Sequence, residues 1–238
     1  MNTPSLIFRQ LFEATSCTYT YIVGCPVTKA AAIIDPVLET VERDAQLVKE
    51  LGLDLRFGVN THVHADHVTG NHKLAQIFPS MKAVLSDKAG AKADVFLGHK
   101  GLLDVGKLRL ECRHTPGHTN GCATFVLHKE KMLFSGDALL VRGCGRTDFQ
   151  QGCASRLYNV IHEEIFTLPD DFIVFPGHDY HGQTATSVGE EKKFNPRLTL
   201  KEDLFVELMK NLNLDHPKQI DRALPANMKN GQMCTKCG

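Results

Sequence analysis

The chain has 238 residues, 42% apolar and 23% charged, with Lys+Arg and Asp+Glu balanced at 27 each. That is the composition of a folded chain long enough to bury a substantial core, and its zero formal charge argues against a general nucleic-acid or anionic-membrane binder. No window approaches the ~20 apolar residues of a membrane span, and the N-terminal M-N-T-P-S-L-I-F-R-Q has neither the basic nor the apolar region of a secretory signal, so the protein is not expected to be secreted and its 8 cysteines are expected as thiols.

In chain order, L-I-F-R-Q-L-F, Y-T-Y-I-V-G and A-A-A-I-I-D read as three early strands separated by turn residues. Leu38, Val41, Ala45, Val48 and Leu51 recur at helical spacing and predict an amphipathic helix over 38–51. L-R-F-G-V-N-T follows as a strand that ends in T-H-V-H-A-D-H, and about 68–78 reads as a helix. K-L-R-L-E-C-R and A-T-F-V-L-H predict strands on either side of T-P-G-H-T, and K-M-L-F-S-G-D a strand ending in an acid. Residues 155–167 read as helical, D-F-I-V-F-P-G-H-D-Y as a short strand running into a Pro-Gly turn, and 184–193 and 199–212 as two closing helices. Strand blocks interleaved with helices favour an α/β sandwich with helices covering the sheet faces. The chain is expected as a single domain over 1–238, with a helical extension from about 183 and a polar tail from about 226.

Four of these strand ends carry ligand-type side chains: His62, His64, Asp66 and His67 after one, His118 in T-P-G-H-T, Asp137 in F-S-G-D, and His178 in P-G-H-D-Y. A short stretch cannot fill a coordination sphere by itself, and a metal site needs ligands from several loops. Strand ends at one sheet edge can bring such groups together on a rigid frame. A polar, His-rich loop would demand no such partners. His72, His99, His114, His128, His162, His181 and His216 lack the strand-end context and are expected at the surface or behind the ligands. Cys234 and Cys237 form a lone C-T-K-C in the tail, a weak metal or redox signal without a second pair.

H-x-H-x-D-H followed by separate G-H, G-D and G-H segments resembles the metallo-β-lactamase superfamily, from the early strands to about residue 182. The resemblance implies an αβ/βα four-layer sandwich. It does not give the reaction, because one fold hosts many chemistries. R-G-C-G-R-T-D-F-Q-Q-G, I-F-T-L-P, H-D-Y-H-G, N-P-R-L-T and P-A-N-M together resemble the persulfide dioxygenases within that superfamily. Glyoxalase II, a thioester hydrolase with a binuclear metal site, shares the histidine motif and G-C-G-R but carries a longer helical C-terminal region. The 60 residues after His178 therefore favour the dioxygenase.

That resemblance implies one Fe(II) per chain held by His62, His118 and Asp137, the two-His, one-carboxylate set of non-haem iron oxygenases. His64, Asp66, His67 and His178 are then groups that orient the iron ligands and the substrate, although the same types hold a second metal in glyoxalase II. The implied substrates are glutathione persulfide and O2, with Arg146, Tyr180 and Arg197 as the glutathione contacts. No nucleic-acid or membrane partner is implied, and a homodimer is left open. The expected location is the mitochondrial matrix in a eukaryote or the cytoplasm in a bacterium. The two competing readings are a glyoxalase II-like hydrolase and a non-catalytic metal-binding or redox-sensing protein, the latter suggested only by C-T-K-C.

Overall fold

The computed structural model describes residues 5–233, so the C-T-K-C pair lies outside the described residues. The first half runs β1 (Ile7–Glu13), β2 (Thr18–Gly24), β3 (Ala30–Ile34), α1 (Val41–Glu50), β4 (Asp54–Val59), α2 (Asn71–Ile77), β5 (Lys82–Ser86) and β6 (Val95–Leu97). These strands form one sheet in chain order, antiparallel from β1 to β3 and parallel from β3 to β6. The second half runs β7 (Gly101–Val105), β8 (Leu108–His114), β9 (Ala123–Leu127), β10 (Met132–Gly136), α3 (Ala154–Val160), β11 (Ile173–Pro176) and β12 (Thr186–Ser187), closed by α4 (Val188–Phe194), α5 (Glu202–Lys210) and α6 (Ile220–Asn227). Its strands form a second sheet, in the order β12-β11-β10-β9-β8-β7.

The pleat explains the layering. In β2, Tyr21 and Val23 face the layer between the sheets, where they meet Phe125, Phe134 and Phe175, while Ile22 faces out to α1 and its neighbours. In β10, Phe134 points inward and Leu133 outward, against Leu157 and Phe205. Both faces of these strands are buried, which is why A-A-A-I-I and M-L-F read as unbroken apolar runs rather than alternating ones. Helix, sheet, sheet, helix is the four-layer arrangement that the resemblance implies, and burying each large apolar side chain contributes about 1.5–3 kcal/mol.

Several boundaries differ from the sequence reading. The helix expected over 38–51 opens with a tight turn at Leu38–Thr40 and becomes α-helical only from Val41. The one expected over 155–167 is α3 followed by a wider π-type turn, Ile161–Ile165. The closing helices are shorter, and α4 is capped by Ser187, whose hydroxyl accepts the Glu190 N–H at 3.1 Å. The polar tail expected from about 226 begins later, because α6 buries Ala223, Ala226 and Asn227 against Val68 and the loop beside it.

The two sheets meet where the site forms. Thr18 bridges His178, and the Tyr19 N–H donates to the Gly177 carbonyl at 2.9 Å. This contact holds the start of β2 against the end of β11.

Candidate metal centre

Each strand end turns abruptly and hands a side chain to one edge of the sandwich. β4 leads into the 61–67 loop with His62, His64, Asp66 and His67; His118 follows β8; Asp137 follows β10; His178 follows β11. Gly136, at φ +52°, makes the turn before Asp137. A Cβ on Gly177 would stand 2.5 Å from Asp137 Oδ1, so glycine there leaves room for the carboxylate.

The side chains gather into two groups. His62, His118 and Asp137 place one ligand atom each within 4.8 Å of one another, and His64, Asp66 and His178 do the same. Asp137 joins the groups: its Oδ2 lies 3.5 Å from His118 Nε2 and its Oδ1 3.4 Å from His178 Nε2. His67 stands behind Asp66, with its Nδ1 2.8 Å from Asp66 Oδ2.

Hydrogen bonds fix which nitrogen each ring presents. His118 Nδ1 donates to the Arg146 carbonyl at 2.6 Å, so Nε2 carries the lone pair. The Thr61 hydroxyl gives its proton to Asp35 at 2.8 Å and therefore accepts from His62 Nδ1 at 3.0 Å, which again leaves Nε2 free. His178 Nδ1 donates to the Ser16 carbonyl at 3.1 Å. His64 Nε2 donates to Asp35 Oδ1 at 2.9 Å, which turns its Nδ1 toward the group. Sequence reasoning missed Asp35. It ends the buried strand A-A-A-I-I-D, which is the signal that could have found it.

These residues fit a metal ion. His64 Nδ1, His67 Nε2 and Asp137 Oδ1 are buried without a hydrogen-bond partner. Orphaned polar atoms of this kind are rare unless an ion or water meets them. Burial, with His64 and His118 close by, holds His62 well below its ordinary pKa and favours the neutral, ligating ring. Burial opposes charge on Asp66, but His67 and His178 outweigh it and keep the carboxyl well below the usual range. Burial also opposes charge on His178, yet Asp137 and Asp66 hold its pKa up to about 9.

A cavity of about 670 Å³ opens beside the site and is lined in part by His118, Asp137 and His178. Arg146, Tyr180 and Arg197 also line it, so all three expected substrate contacts share one space. They differ in availability. The Tyr180 ring lies parallel to His178 at 6.2 Å and is exposed. Arg197 Nη1 donates to the Cys144 carbonyl at 3.1 Å. Arg146 is more committed: Nε and Nη2 grip Asp148 at 2.7 and 2.8 Å, and Nη1 and Nη2 reach the carbonyls of Asp215 and Leu214 at 2.7 and 3.2 Å. Of the histidines set aside above, none joins either group among the described residues, and His181 borders the cavity.

The family model of the metallo-beta-lactamase superfamily matches residues 14–178. Persulfide dioxygenase ETHE1 of Mus musculus, mitochondrial by its name, is 55% identical over 95% of this chain and 89% of its own length. Hydroxyacylglutathione hydrolase GloC of Haemophilus influenzae is 34% identical, over 73% of this chain and 89% of its own length. The crystal structure of ETHE1 from Myxococcus xanthus matches with a TM-score of 0.92 at 48% identity, covering 95% of this chain and 100% of that one. Similarity to the dioxygenases is thus higher and more complete than to the hydrolase, and the chain belongs to the metallo-beta-lactamase superfamily and, within it, to the persulfide dioxygenase family.

Proposed function

We infer that this chain oxidises glutathione persulfide with O2 and water to sulfite and glutathione, using one Fe(II) held by His62, His118 and Asp137. The observation that carries the reading is a two-His, one-carboxylate trio, two of whose members, His118 and Asp137, line a large cavity, in a chain 55% identical to a named persulfide dioxygenase. When bound, Fe(II) supplies the one-electron chemistry that lets O2 react with a sulfur donor, and three protein ligands leave room for both.

The chain's own residues do the rest. Thr61 and the Arg146 carbonyl hold the rings of His62 and His118 in the orientation and tautomer that ligation requires. His178 Nε2 lies between Asp66 and Asp137, at 3.5 and 3.4 Å, and orients both carboxylates beside the cavity. Tyr180 and Arg197 serve the glutathione body, with Arg197 suited to a carboxylate by its planar donors. Arg146 closes the cavity wall beside them. The mitochondrial name of the mouse relative supports a mitochondrial location if the source is a eukaryote.

Metal analysis combined with O2 uptake tests the reading. About one iron per chain is expected, with O2 consumption and sulfite release on addition of glutathione persulfide. The His64, Asp66 and His178 group favours a second reading, a binuclear thioester hydrolase. Two tightly held zinc ions, no O2 uptake and hydrolysis of a glutathione thioester would establish that reading instead.

A further inference from the structure

The P-A-N-M stretch has no part in the chemistry above, yet it reaches the metal loop. Asn227 stands at the end of α6, buried at 3% exposure. Its Nδ2 donates to the carbonyls of His64 at 2.9 Å and His67 at 2.8 Å, and its Oδ1 accepts the Thr69 N–H at 2.9 Å. One side chain thereby serves three backbone groups of a segment more than 150 residues earlier in the chain. The 61–67 loop lies between β4 and α2, and neither a sheet ladder nor a helix satisfies these carbonyls.

The surrounding contacts fit the C-terminal segment to the back of that loop. Asn71 Nδ2 donates to Asn230 Oδ1 at 3.2 Å, and the Thr69 hydroxyl donates to Asn60 Oδ1 at 3.0 Å. Gly231 packs so closely that a Cβ there would stand 2.3 Å from the Thr69 carbonyl oxygen. On the apolar side, Ala223 and Ala226 seat α6 against Val68 and Leu38. Leu38 belongs to this apolar seat and is not among the hydrogen-bond partners of the Asn227 amide.

We propose that Asn227 is a positioning residue for the metal loop: by pinning the carbonyls of His64 and His67 it fixes the backbone of the 61–67 loop that carries His62 and His64 to the site, and so sets metal affinity. The proposal rests on the metal assignment made under the proposed function. A simpler role, anchoring α6 for stability alone, makes a different prediction.

The test compares Asn227→Ala, Asn227→Asp and Leu38→Ala in the full chain. Three quantities are measured: Fe(II) affinity by chelator competition, the visible bands of the Co(II)-loaded protein, and the thermal midpoint with chelator present. Both Asn227 variants are expected to weaken Fe(II) binding about 10–100-fold, the range seen when groups that orient metal ligands are lost, and to displace the Co(II) bands. Leu38→Ala is expected to lower the midpoint while leaving Fe(II) affinity within about twofold of the parent and the bands in place. Parent-like affinity in the Asn227 variants overturns the proposal, as does a Leu38→Ala protein that loses affinity to the same extent. If Asn227→Ala does not fold, Asn227→Asp decides, because it keeps the side chain's size and the acceptor for Thr69 while losing both donors. A parent chain that holds zinc rather than iron would sink the iron reading, and the same comparison run with Zn(II) would still decide the role of Asn227.

Discussion

Asp137 faces His118 through one carboxylate oxygen and His178 through the other, and its Oδ1 is buried without a hydrogen bond. A side chain so placed serves a charge rather than the fold. Asp137→Ala is therefore expected to abolish dioxygenase activity and lower iron occupancy, while the thermal midpoint with chelator present stays near that of the parent. Near-normal iron content and turnover in this variant would remove Asp137 from the ligand set. At this scale the sequence was informative where chemistry marks a residue. A histidine or acid after an apolar run stands out, and the structure brings six of the seven marked residues into two groups, with His67 directly behind. Asp35 carried the same mark, an acid after an apolar run, and was passed over, whereas Thr61 and Asn227 escaped notice because they act through hydrogen bonds that exist only once distant segments meet. Asn227 looked like part of a polar tail, and nothing local to P-A-N-M shows that its amide will face His64 and His67.

Between elements, Arg146 links the turn after β10 to the segment between α5 and α6. Its carbonyl orients His118, while its guanidinium joins Asp148 to the carbonyls of Leu214 and Asp215, with the Phe149 ring 4.7 Å beneath. Leu214, Asp215 and Pro217 form part of the cavity wall. Arg146→Ala should release that wall and weaken glutathione persulfide more than a small persulfide lacking the peptide carboxylates. A charge-assisted hydrogen bond holding that wall contributes roughly 1.5–3 kcal/mol, which sets an upper bound of about one to two powers of ten on the loss in kcat/KM. Arg146→Lys should recover little, because one ammonium cannot span a carboxylate and two carbonyls. Equal slowing of both substrates would place the effect at His118 instead, and no slowing would make the clasp dispensable. The longer elements were legible as apolar runs and helical spacing. β5, β6, β7 and β12 were not. Val95–Leu97 and Thr186–Ser187 are too short to show a period, and Gly101–Val105 pairs with β8 across a tight turn at Gly106 that lacks an Asn-Gly or Asp-Gly signal. α6 was hidden by Pro225 within the helix, a residue that ordinarily ends one.

Across the whole molecule, the site draws on both sheets. His62 and His64 follow a strand of the first; His118, Asp137 and His178 follow strands of the second. An ion bound by His62, His118 and Asp137 would therefore cross-link two layers that also meet through their apolar faces and through hydrogen bonds such as Tyr19 N–H to the Gly177 carbonyl and the Tyr21 hydroxyl to the Pro176 carbonyl. Unfolding separates the ligands, so metal that binds only the folded chain stabilises it, by about 2.7 kcal/mol at a free concentration a hundred times the dissociation constant. For a chain of this size each kcal/mol moves the thermal midpoint by roughly 2–4 °C, so removing the metal with a chelator should lower the midpoint by about 5–10 °C. Returning Fe(II) without O2 should restore it. Asp137→Ala, with a ligand missing, should respond to neither treatment by more than a small fraction of that change. If the parent chain melts at the same temperature with and without chelator while its iron is shown to leave, the ion does not tie the sheets together. Its ligands would then have to be held in place by the surrounding hydrogen bonds alone, from Asp35, Thr61, the Arg146 carbonyl and Asn227.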